Sequence, residues 1–422
     1  MNTKTLYALI GAALLALVAA VLINSSKKPQ SDAAAAAKRV LPELHGHVND
    51  VSTITLTGAD SKVLATLKRG ADGWTVAEKA NYPADMAKIR EFLLKLDQAT
   101  LIEQKTSNDK HYAELGVDEI SDKDAKGVQV EIAGLPQPIK LIVGNFNGGG
   151  GGGTFVRRAG DPQSWLANGN LTVAKNTADW EKRDLTDIAA TRLQSVTLTN
   201  PDGKTLKAHK DARGDANFKV ADVPTGREVS SDFVANSLGS VLANLRADDA
   251  FSAKDNAPPE KVHKAQYVAF DGLVLDVVAW DKDGKDYAQF AAHLDTAAAN
   301  ADIDKEQVKA RADYDAAVIA ASKRVADEKA TTGKEADANA KAAAEVPKPL
   351  AVSDAAKDRQ DKLDALNKEI EGLNKMFSGW TFALPSYKFT DMSKSMDDML
   401  KPLETKKPDA KDTKAPAVKK KP

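Results

Sequence analysis

The chain has 422 residues, enough for two domains and additional segments, and its 59 Lys and Arg residues nearly balance its 60 Asp and Glu residues. A net charge of -1 gives no electrostatic reason to expect a nucleic-acid partner. The chain has no cysteine, which excludes disulfides, thiolate nucleophiles, cysteine zinc sites and a lipid-modified cysteine.

Residues 1–24 are predicted to form a transmembrane anchor. Leu6–Ile23 is an uninterrupted apolar run, and as a helix it would span about 27 Å, close to the thickness of the hydrocarbon core of a bilayer. A cleaved signal peptide is the alternative, because Val18-Ala19-Ala20 resembles a cleavage site. The predicted anchor residues are Leu6, Leu9, Leu14, Leu17, Val21 and Ile23.

The charges on the two sides of this anchor favour opposite orientations. Lys27 and Lys28 outnumber Lys4, which on its own favours a cytoplasmic location for the bulk of the chain. The α-amine adds charge to the other side, and the bias weakens when a long domain follows. Residues 25–40 are polar and alanine-rich, which predicts a tether.

Two later stretches share one pattern. Val51–Leu96 and Leu193–Leu245 each begin with alternating apolar and polar residues, turn at an Asp followed two positions later by Lys, and then reach an aromatic residue shortly before a valine. Apolar residues at helical spacing follow, which predicts two β-β-β-α units. The helical positions are Met86, Ile89, Phe92, Leu93 and Leu96 in the first stretch, and Val234, Leu238, Val241, Leu242 and Leu245 in the second.

Further antiparallel strands are predicted after each helix, so the predicted fold class is α+β with two tandem, related β-rich domains. The first domain covers residues 41–190, and the second covers residues 191–294 plus 379–400. Trp165 and Trp180 lie in the connecting region. We interpret the segment from Trp180 to Ile188 as core between the domains, with an exposed aromatic ligand platform as the alternative.

Three local patterns suggest a site, and each has a structural explanation. His45 and His47 would share one face of a strand, but a third metal ligand is not evident. The glycine run Gly148–Gly153 lies between strand-like segments and does not precede a helix, which favours a hairpin tip over a phosphate loop. Asp281–Asp286 lacks the later Glu of a calcium loop and contains the Asp-Gly signal of a hairpin. We therefore predict no catalytic, metal or cofactor site.

Residues 295–378 are predicted to form a helical hairpin inserted into the second domain. A weak stripe on the first helix consists of Val308, Ala312, Asp315, Ile319, Ser322 and Ala326. The second helix has a coiled-coil seam, whose candidate partner-contact residues are Leu363, Leu366, Ile370 and Leu373, followed by Phe377. Disorder is the alternative for residues 325–350, and residues 303–377 are predicted to be dispensable for folding of the β-domains.

The chain then returns to the second domain. Trp380–Leu384 is predicted to be a strand, and Phe389–Leu400 a closing amphipathic helix. Residues 401–422 are rich in Lys and Pro, which is typical of a disordered tail.

A series of short motifs resembles the bacterial family called domain of unknown function 4340. The motifs are Leu41-Pro42, Val51-x-x-Ile54, Gly73-Trp74, Tyr82-Pro83-Ala84-Asp85, Leu115-Gly116-Val117, Val143-Gly144, Phe155-Val156-Arg157, Trp180-x-x-Arg183 and Trp380-x-x-x-Leu384-Pro385-x-Tyr387. The resemblance covers most of residues 1–294 and 379–400. It implies a protein anchored in the bacterial inner membrane, often linked to ABC-type transport and similar to the auxiliary component of gliding-motility transporters. The resemblance does not identify any catalytic residues in this sequence.

We therefore expect a non-enzymatic auxiliary protein with a single membrane anchor, its bulk in the periplasm, and ABC transporter subunits or envelope-assembly components as partners. The sequence lacks a nucleophile elbow, a His-Glu-x-x-His motif, a P-loop and a dinucleotide fingerprint. A binding module for cell-wall glycan or lipid is the first alternative, and an envelope hydrolase the second. An exposed apolar surface on the inserted hairpin would favour the auxiliary role.

Overall fold

The computed structural model describes residues 38–149, 152–332 and 346–403, and it is an α+β fold built mostly on antiparallel sheets. The chain divides into two compact units, Met1–Lys182 and Arg183–Pro422. This division falls several residues before the boundary at 190 that the sequence suggested. The predicted anchor residues Leu6 to Ile23 and most of the predicted tether and tail lie outside the described residues.

The first unit is one antiparallel sheet with a helix packed on it. Its strands are β1 (Thr53–Thr57), β2 (Val63–Gly70), β3 (Gly73–Val76), β4 (Tyr82–Pro83), β5 (Leu101–Gln104), β6 (Val128–Ala133), β7 (Ile139–Asn147), β8 (Gly153–Arg158) and β9 (Ser164–Asn168). The helices are α1 (Met86–Gln98) and the short α2 (Tyr112–Leu115). The strand order is β4-β3-β2-β1-β6-β7-β8-β9-β5.

Helix α1 forms where the sequence predicted it. The carboxylate of Asp85 accepts a hydrogen bond from the backbone N–H of Lys88 at 3.0 Å, which caps the helix N-terminus. The apolar side of the helix then packs on the sheet, because Ile89, Phe92, Leu93 and Leu96 are buried. Residues 38–50, here called the strap, contribute Val40, Leu41 and Leu44 to the same core.

Trp180 belongs to the core of the first unit, so its interpretation as core between domains is wrong. Only 1% of its surface is exposed, and its ring lies 5.4 Å from the ring of Phe92 in an edge-on contact. Its indole N–H donates a hydrogen bond to the carbonyl oxygen of Ala174 at 3.1 Å. The following residue, Glu181, pairs with Ala84, which precedes α1, and so closes the unit.

The second unit is built on an eight-stranded antiparallel sheet. Its strands are β10 (Asp184–Thr186), β11 (Leu193–Thr199), β12 (Thr205–His209), β13 (Lys219–Val220), β14 (Arg227–Val229), β15 (Leu245–Arg246), β16 (Asp249–Ser252), β17 (His263–Ala269), β18 (Leu273–Lys282), β19 (Lys285–Leu294), β20 (Trp380–Leu384) and β21 (Leu400–Pro402). Its helices are α3 (Asp232–Gly239), α4 (Thr296–Thr332), α5 (Leu350–Ser353), α6 (Ala355–Phe377), α7 (Ser386–Met392) and α8 (Met396–Met399). The main sheet has the order β13-β12-β11-β17-β18-β19-β20-β16.

The two main sheets follow one plan when their strands are matched in chain order. Strands β1–β3 match β11–β13, β6–β9 match β17–β20, and β5 matches β16. With this match, the neighbours from β3 to β5 in the first sheet occur in the same order from β13 to β16 in the second. Each unit also closes with a late segment that pairs just before its helix, at Ala84 in the first unit and along β14 in the second.

The structure corrects two predicted helices in the second unit. Helix α3 ends at Gly239, so Val241 and Leu242 lie in the turns that follow, and Leu245 lies in β15. A Cβ atom at Gly239 would come within 2.3 Å of the Phe218 ring, so the close packing of that ring requires glycine. The predicted closing helix is instead α7 and α8, because the side chain of Ser395 caps a new helix start.

The hydroxyl group of Tyr267 has no hydrogen-bond partner within the described part of the chain, although its side chain is buried. Burial raises the pKa of this phenol, so the group stays neutral. We expect Tyr267→Phe to raise the free energy of unfolding of the second unit by about 1 kcal/mol, because an unsatisfied buried group is removed. Chemical denaturation would measure this change in the free energy of unfolding.

A matched control for this substitution lies in the first unit. Tyr82 is as buried a residue as Tyr267, and its hydroxyl donates a hydrogen bond to the carbonyl oxygen of Lys182 at 2.9 Å. Tyr82→Phe should therefore lower the free energy of unfolding by about 1 kcal/mol, opposite in sign. Destabilisation by both substitutions would contradict the assignment of an orphan hydroxyl to Tyr267.

Candidate interaction site: the inserted helical arm

The inserted segment joins two neighbouring strands of the second sheet. Strands β19 and β20 pair directly, with Tyr287 opposite Ala383, and helices α4 to α6 lie between them in the chain. The matching strands of the first unit, β8 and β9, are joined only by residues 159–163. The insertion, here called the arm, therefore replaces a short turn.

Helices α4 and α6 run antiparallel, and polar side chains connect them. Arg359 donates a hydrogen bond to the side-chain oxygen of Asn300 at 2.8 Å and forms an ion pair with Asp304. Gln307 donates to the backbone carbonyl of Ala355 at 2.8 Å. Residues later in α4 thus contact residues earlier in α6, as expected for antiparallel helices.

The base of the arm is part of the second unit's core. The ring of Phe377 lies 5.2 Å from that of Phe290 and 6.4 Å from that of Phe382. The amide of Asn374 accepts a hydrogen bond from the N–H of Ala292 at 2.8 Å and donates to its carbonyl at 2.7 Å. The side chain of Glu369 accepts two hydrogen bonds from Arg192, at 2.7 and 2.8 Å.

The predicted partner-contact seam on α6 lies partly against the chain itself. Ile370 is buried, and Leu363, Leu366 and Leu373 are half-buried. Helix α6 packs on β19, and it also contacts α4. This seam therefore offers little free apolar surface to another protein.

Helix α4 carries the more exposed apolar surface. The side chain of Val308 is 71% exposed and that of Ile319 is 58% exposed, with exposed Ala312 between them. At about 100° per residue these positions share one side of the helix. Among residues 296–324 of α4, whose side chains the structure describes, the buried ones lie on the opposite side; they are Ala299, Ile303 and Ala321.

Of the stripe found in the sequence, Val308, Ala312, Asp315 and Ile319 are exposed and Ser322 is half-buried, and the side chain of Ala326 lies outside the described part of the helix. We call its three exposed apolar residues, Val308, Ala312 and Ile319, the outer stripe; exposed Asp315, which forms an ion pair with Arg311 at 3.1 Å, lies on the same side. The packed side of α4 consists largely of alanine, which allows close helix approach but contributes weakly to an apolar periodicity. Helix α4 is 37 residues long and spans about 55 Å, so the outer stripe lies along an extended surface.

The other sequence patterns do not converge on a site. His45 and His47 pair with separate carboxylates, those of Asp97 at 3.1 Å and Asp50 at 2.7 Å. Within residues 38–149, 152–332 and 346–403, no cluster of three or more His, Asp or Glu side chains is arranged to hold a metal ion. Asp283 and Gly284 form the turn between β18 and β19. The glycine run lies between β7 and β8, with residues 150–151 outside the described part.

Carboxyl groups with a shifted pKa do not form an acid–base pair. The pKa of the Asp302 carboxyl group is raised, because burial disfavours its charged form. Its partner is the guanidinium of Arg213 rather than a second carboxylate. This arrangement is an ion pair at the base of α4.

None of the helices in the described ranges combines the length and apolar character needed to cross a membrane. The predicted anchor, Leu6–Ile23, precedes the first described residue, Lys38.

A family model described as "Domain of unknown function (DUF4340)" matches residues 74–265. This match confirms the family resemblance for that part of the chain, from β3 in the first unit to β17 in the second. The arm lies outside the matched residues. No curated protein and no solved structure matches the chain.

Proposed function

We propose that this protein is a non-enzymatic, membrane-anchored interaction protein whose arm contacts a helix of a partner protein. The observation that carries the proposal is the outer stripe, a row of exposed apolar residues on the side of α4 that faces away from the protein's own core. Exposed apolar residues aligned on one helix face are typical of helix-to-helix recognition.

The proposed location is the bacterial inner membrane, with the two units in the periplasm. The supporting observation is the apolar run Leu6–Ile23, which is long enough to span the hydrocarbon core as a helix. The family resemblance favours a subunit of an ABC-type transporter as the partner. In this proposal, residues 25–37 connect the anchor to the first described residue, Lys38.

We also infer that the two units arose by duplication of one β-β-β-α unit with further antiparallel strands. The shared strand order and the matching closing segments support this inference. The arm then distinguishes the second copy, because the first has residues 159–163 in its place. A contact role assigned to the arm therefore belongs to one copy only.

The test is to place charges on the outer stripe. Val308→Asp combined with Ile319→Asp should reduce co-purification of the transporter subunits with the full-length protein from its native membrane by about tenfold or more. The physical reason is that a carboxylate buried at an apolar helix interface loses its hydration. Quantitative mass spectrometry of the purified complex provides the measurement.

Ala320→Asp is the matched control, because Ala320 is exposed on the same helix but lies outside the outer stripe. This variant should retain its partners, and all variants should have the wild-type unfolding profile. Equal recovery of transporter subunits with the double variant and the wild type would refute the arm as the contact surface.

A further inference from the structure

The two matching sheets differ in how one aromatic position of the core is covered. In the second unit, Phe290 on β19 and Phe382 on β20 lie on the core side of the sheet. Phe377 from the base of the arm packs on both rings. The chain thus supplies its own aromatic side chain to cover this end of the sheet.

Strand register identifies the matching positions in the first unit. Ile54 and Val196 are equivalent by the sequence repeat, and pairing can be followed from them across four strands. The pairs are Ile54 with Ile132, Val130 with Leu141, Leu141 with Arg158 and Val156 with Trp165 in the first sheet, and Val196 with Tyr267, Ala265 with Val277, Val277 with Phe290 and Ala288 with Phe382 in the second. Arg158 therefore occupies the position of Phe290, and Trp165 that of Phe382.

The first unit has no arm, and a cleft lies where Phe377 packs in the second unit. Its volume is about 290 Å³, between the strap and the ends of β8 and β9. Leu101, Leu141, Val156 and half-buried Trp165 line its apolar part. An aromatic position that is covered by the chain in one copy is therefore accessible in the other.

The mouth of the cleft is cationic. Lys38, Arg39 and Arg158 surround it, together with the carboxylates of Glu43 and Asp161. Arg158 is held in place by two hydrogen bonds to Glu43, at 2.9 and 2.6 Å. The Lys38 ammonium lies 5.6 Å from the centre of the Trp165 ring, and none of the described carboxylates forms an ion pair with it.

We propose that this cleft binds a small anionic amphiphile, with an apolar body of about one ring on Trp165 and a carboxylate or phosphate group beside Lys38. The volume is at the lower end of the range for small-molecule sites, which fits a single ring and excludes a long chain. The aromatic side chain of Phe377 covers the equivalent position in the second unit, which indicates that the cleft accepts an aromatic ring. The cationic mouth indicates that the ligand carries an anionic group.

The test uses full-length protein and four probes that share a phenyl ring. 3-Phenylpropionate and phenyl phosphate carry the two anionic groups, 3-phenylpropylamine reverses the charge, and 3-phenylpropanol is neutral. We expect an anionic probe to bind with a dissociation constant of about 1 mM, and the amine and alcohol to bind at least about tenfold more weakly. Isothermal titration provides the affinities.

Two variants locate the binding. Lys38→Glu should weaken the anionic probe by about tenfold, whereas Lys110→Glu, at another exposed lysine of the same unit, should leave its affinity unchanged. Trp165→Phe keeps an aromatic ring, so it should retain binding but remove the ligand-induced change in tryptophan emission.

The outcomes separate clearly. Binding of either anionic probe, weakened by Lys38→Glu and reported by Trp165, supports the site, and the tighter probe identifies carboxylate or phosphate as the preferred group. Absence of binding at about 10 mM overturns the proposal. Equal binding of the neutral probe, or binding unchanged by Lys38→Glu, also overturns it, because the ring alone would then be recognised.

Discussion

Phe377→Ala is expected to lower the free energy of unfolding of the second unit by about 3–5 kcal/mol. The ring is buried against Phe290 and Phe382, at 5.2 and 6.4 Å, so its removal leaves a cavity between the sheet and α6. Loss of this contact also loosens the arm at its base. Chemical denaturation followed by the emission of Trp280 and Trp380 provides the measurement.

The matched control is the same substitution at an exposed phenylalanine. Phe233 on α3 is 80% exposed, so Phe233→Ala should change the free energy of unfolding by no more than about 0.5 kcal/mol. The sequence alone predicts that residues 303–377 are dispensable for folding of the β-domains, which implies that Phe377→Ala has a similarly small effect. Indistinguishable denaturation curves for the two variants would favour that prediction over the packing described above.

Arg157→Lys is expected to destabilise the first unit by about 3 kcal/mol, although the charge is retained. The guanidinium is only 2% exposed and lies 4.5 Å from the centre of the Tyr112 ring. It donates hydrogen bonds to the carbonyl of Val117 at 2.9 Å, the carbonyl of Asp161 at 3.1 Å and the carboxylate of Glu119 at 2.7 Å. A lysine ammonium cannot reach all three acceptors and stack on the ring.

Arg90→Lys is the control for this substitution, because Arg90 is exposed on α1 of the same unit. Its effect should lie within about 0.5 kcal/mol. Thermal unfolding of both variants provides the comparison. If Arg157→Lys and Arg90→Lys had the same melting profile, the buried guanidinium of Arg157 would not stabilise the loop around Val117.

Local patterns predicted a good part of the fold. The alternation in Val51–Leu96 and Leu193–Leu245 identified real strands, because a strand with one buried face has a period of two. The apolar spacing around Ile89 identified α1, because that helix has one buried side. Both signals depend on residues close together in the chain.

The predictions from sequence were wrong at positions where tertiary packing determines the structure. Val241 and Leu245 have helical spacing, but α3 ends at Gly239, where the Phe218 ring packs directly against the backbone. Along α4, the aliphatic Val308 and Ile319 face solvent, whereas Ala321 is buried. A periodicity based on side-chain hydrophobicity favours the wrong side of such a helix, because close helix approach selects small residues.

The candidate sites were still harder to predict. Leu363 and Ile370 drew attention to the arm, but which helix exposes apolar surface depends on how the arm packs on its own sheet. The cleft could not be found from single residues, because Trp165 and Lys38 are far apart in sequence. The repeat held a partial signal, since Arg158 and Phe290 occupy matching positions with very different chemistry.

The attachment of the arm has a mechanical consequence. Both ends of the arm enter the sheet on neighbouring antiparallel strands, so tension applied to its far end would pull on β19 and β20 in the same direction. Their hydrogen bonds lie perpendicular to the strands and would be loaded one pair after another, which is peeling rather than shear. The pairing of these strands is short, running from Asp286 to Ala288, and the Phe377 side chain lies beside it. The three pairs between β19 and β20 would therefore separate before the ten pairs that join β19 to β18.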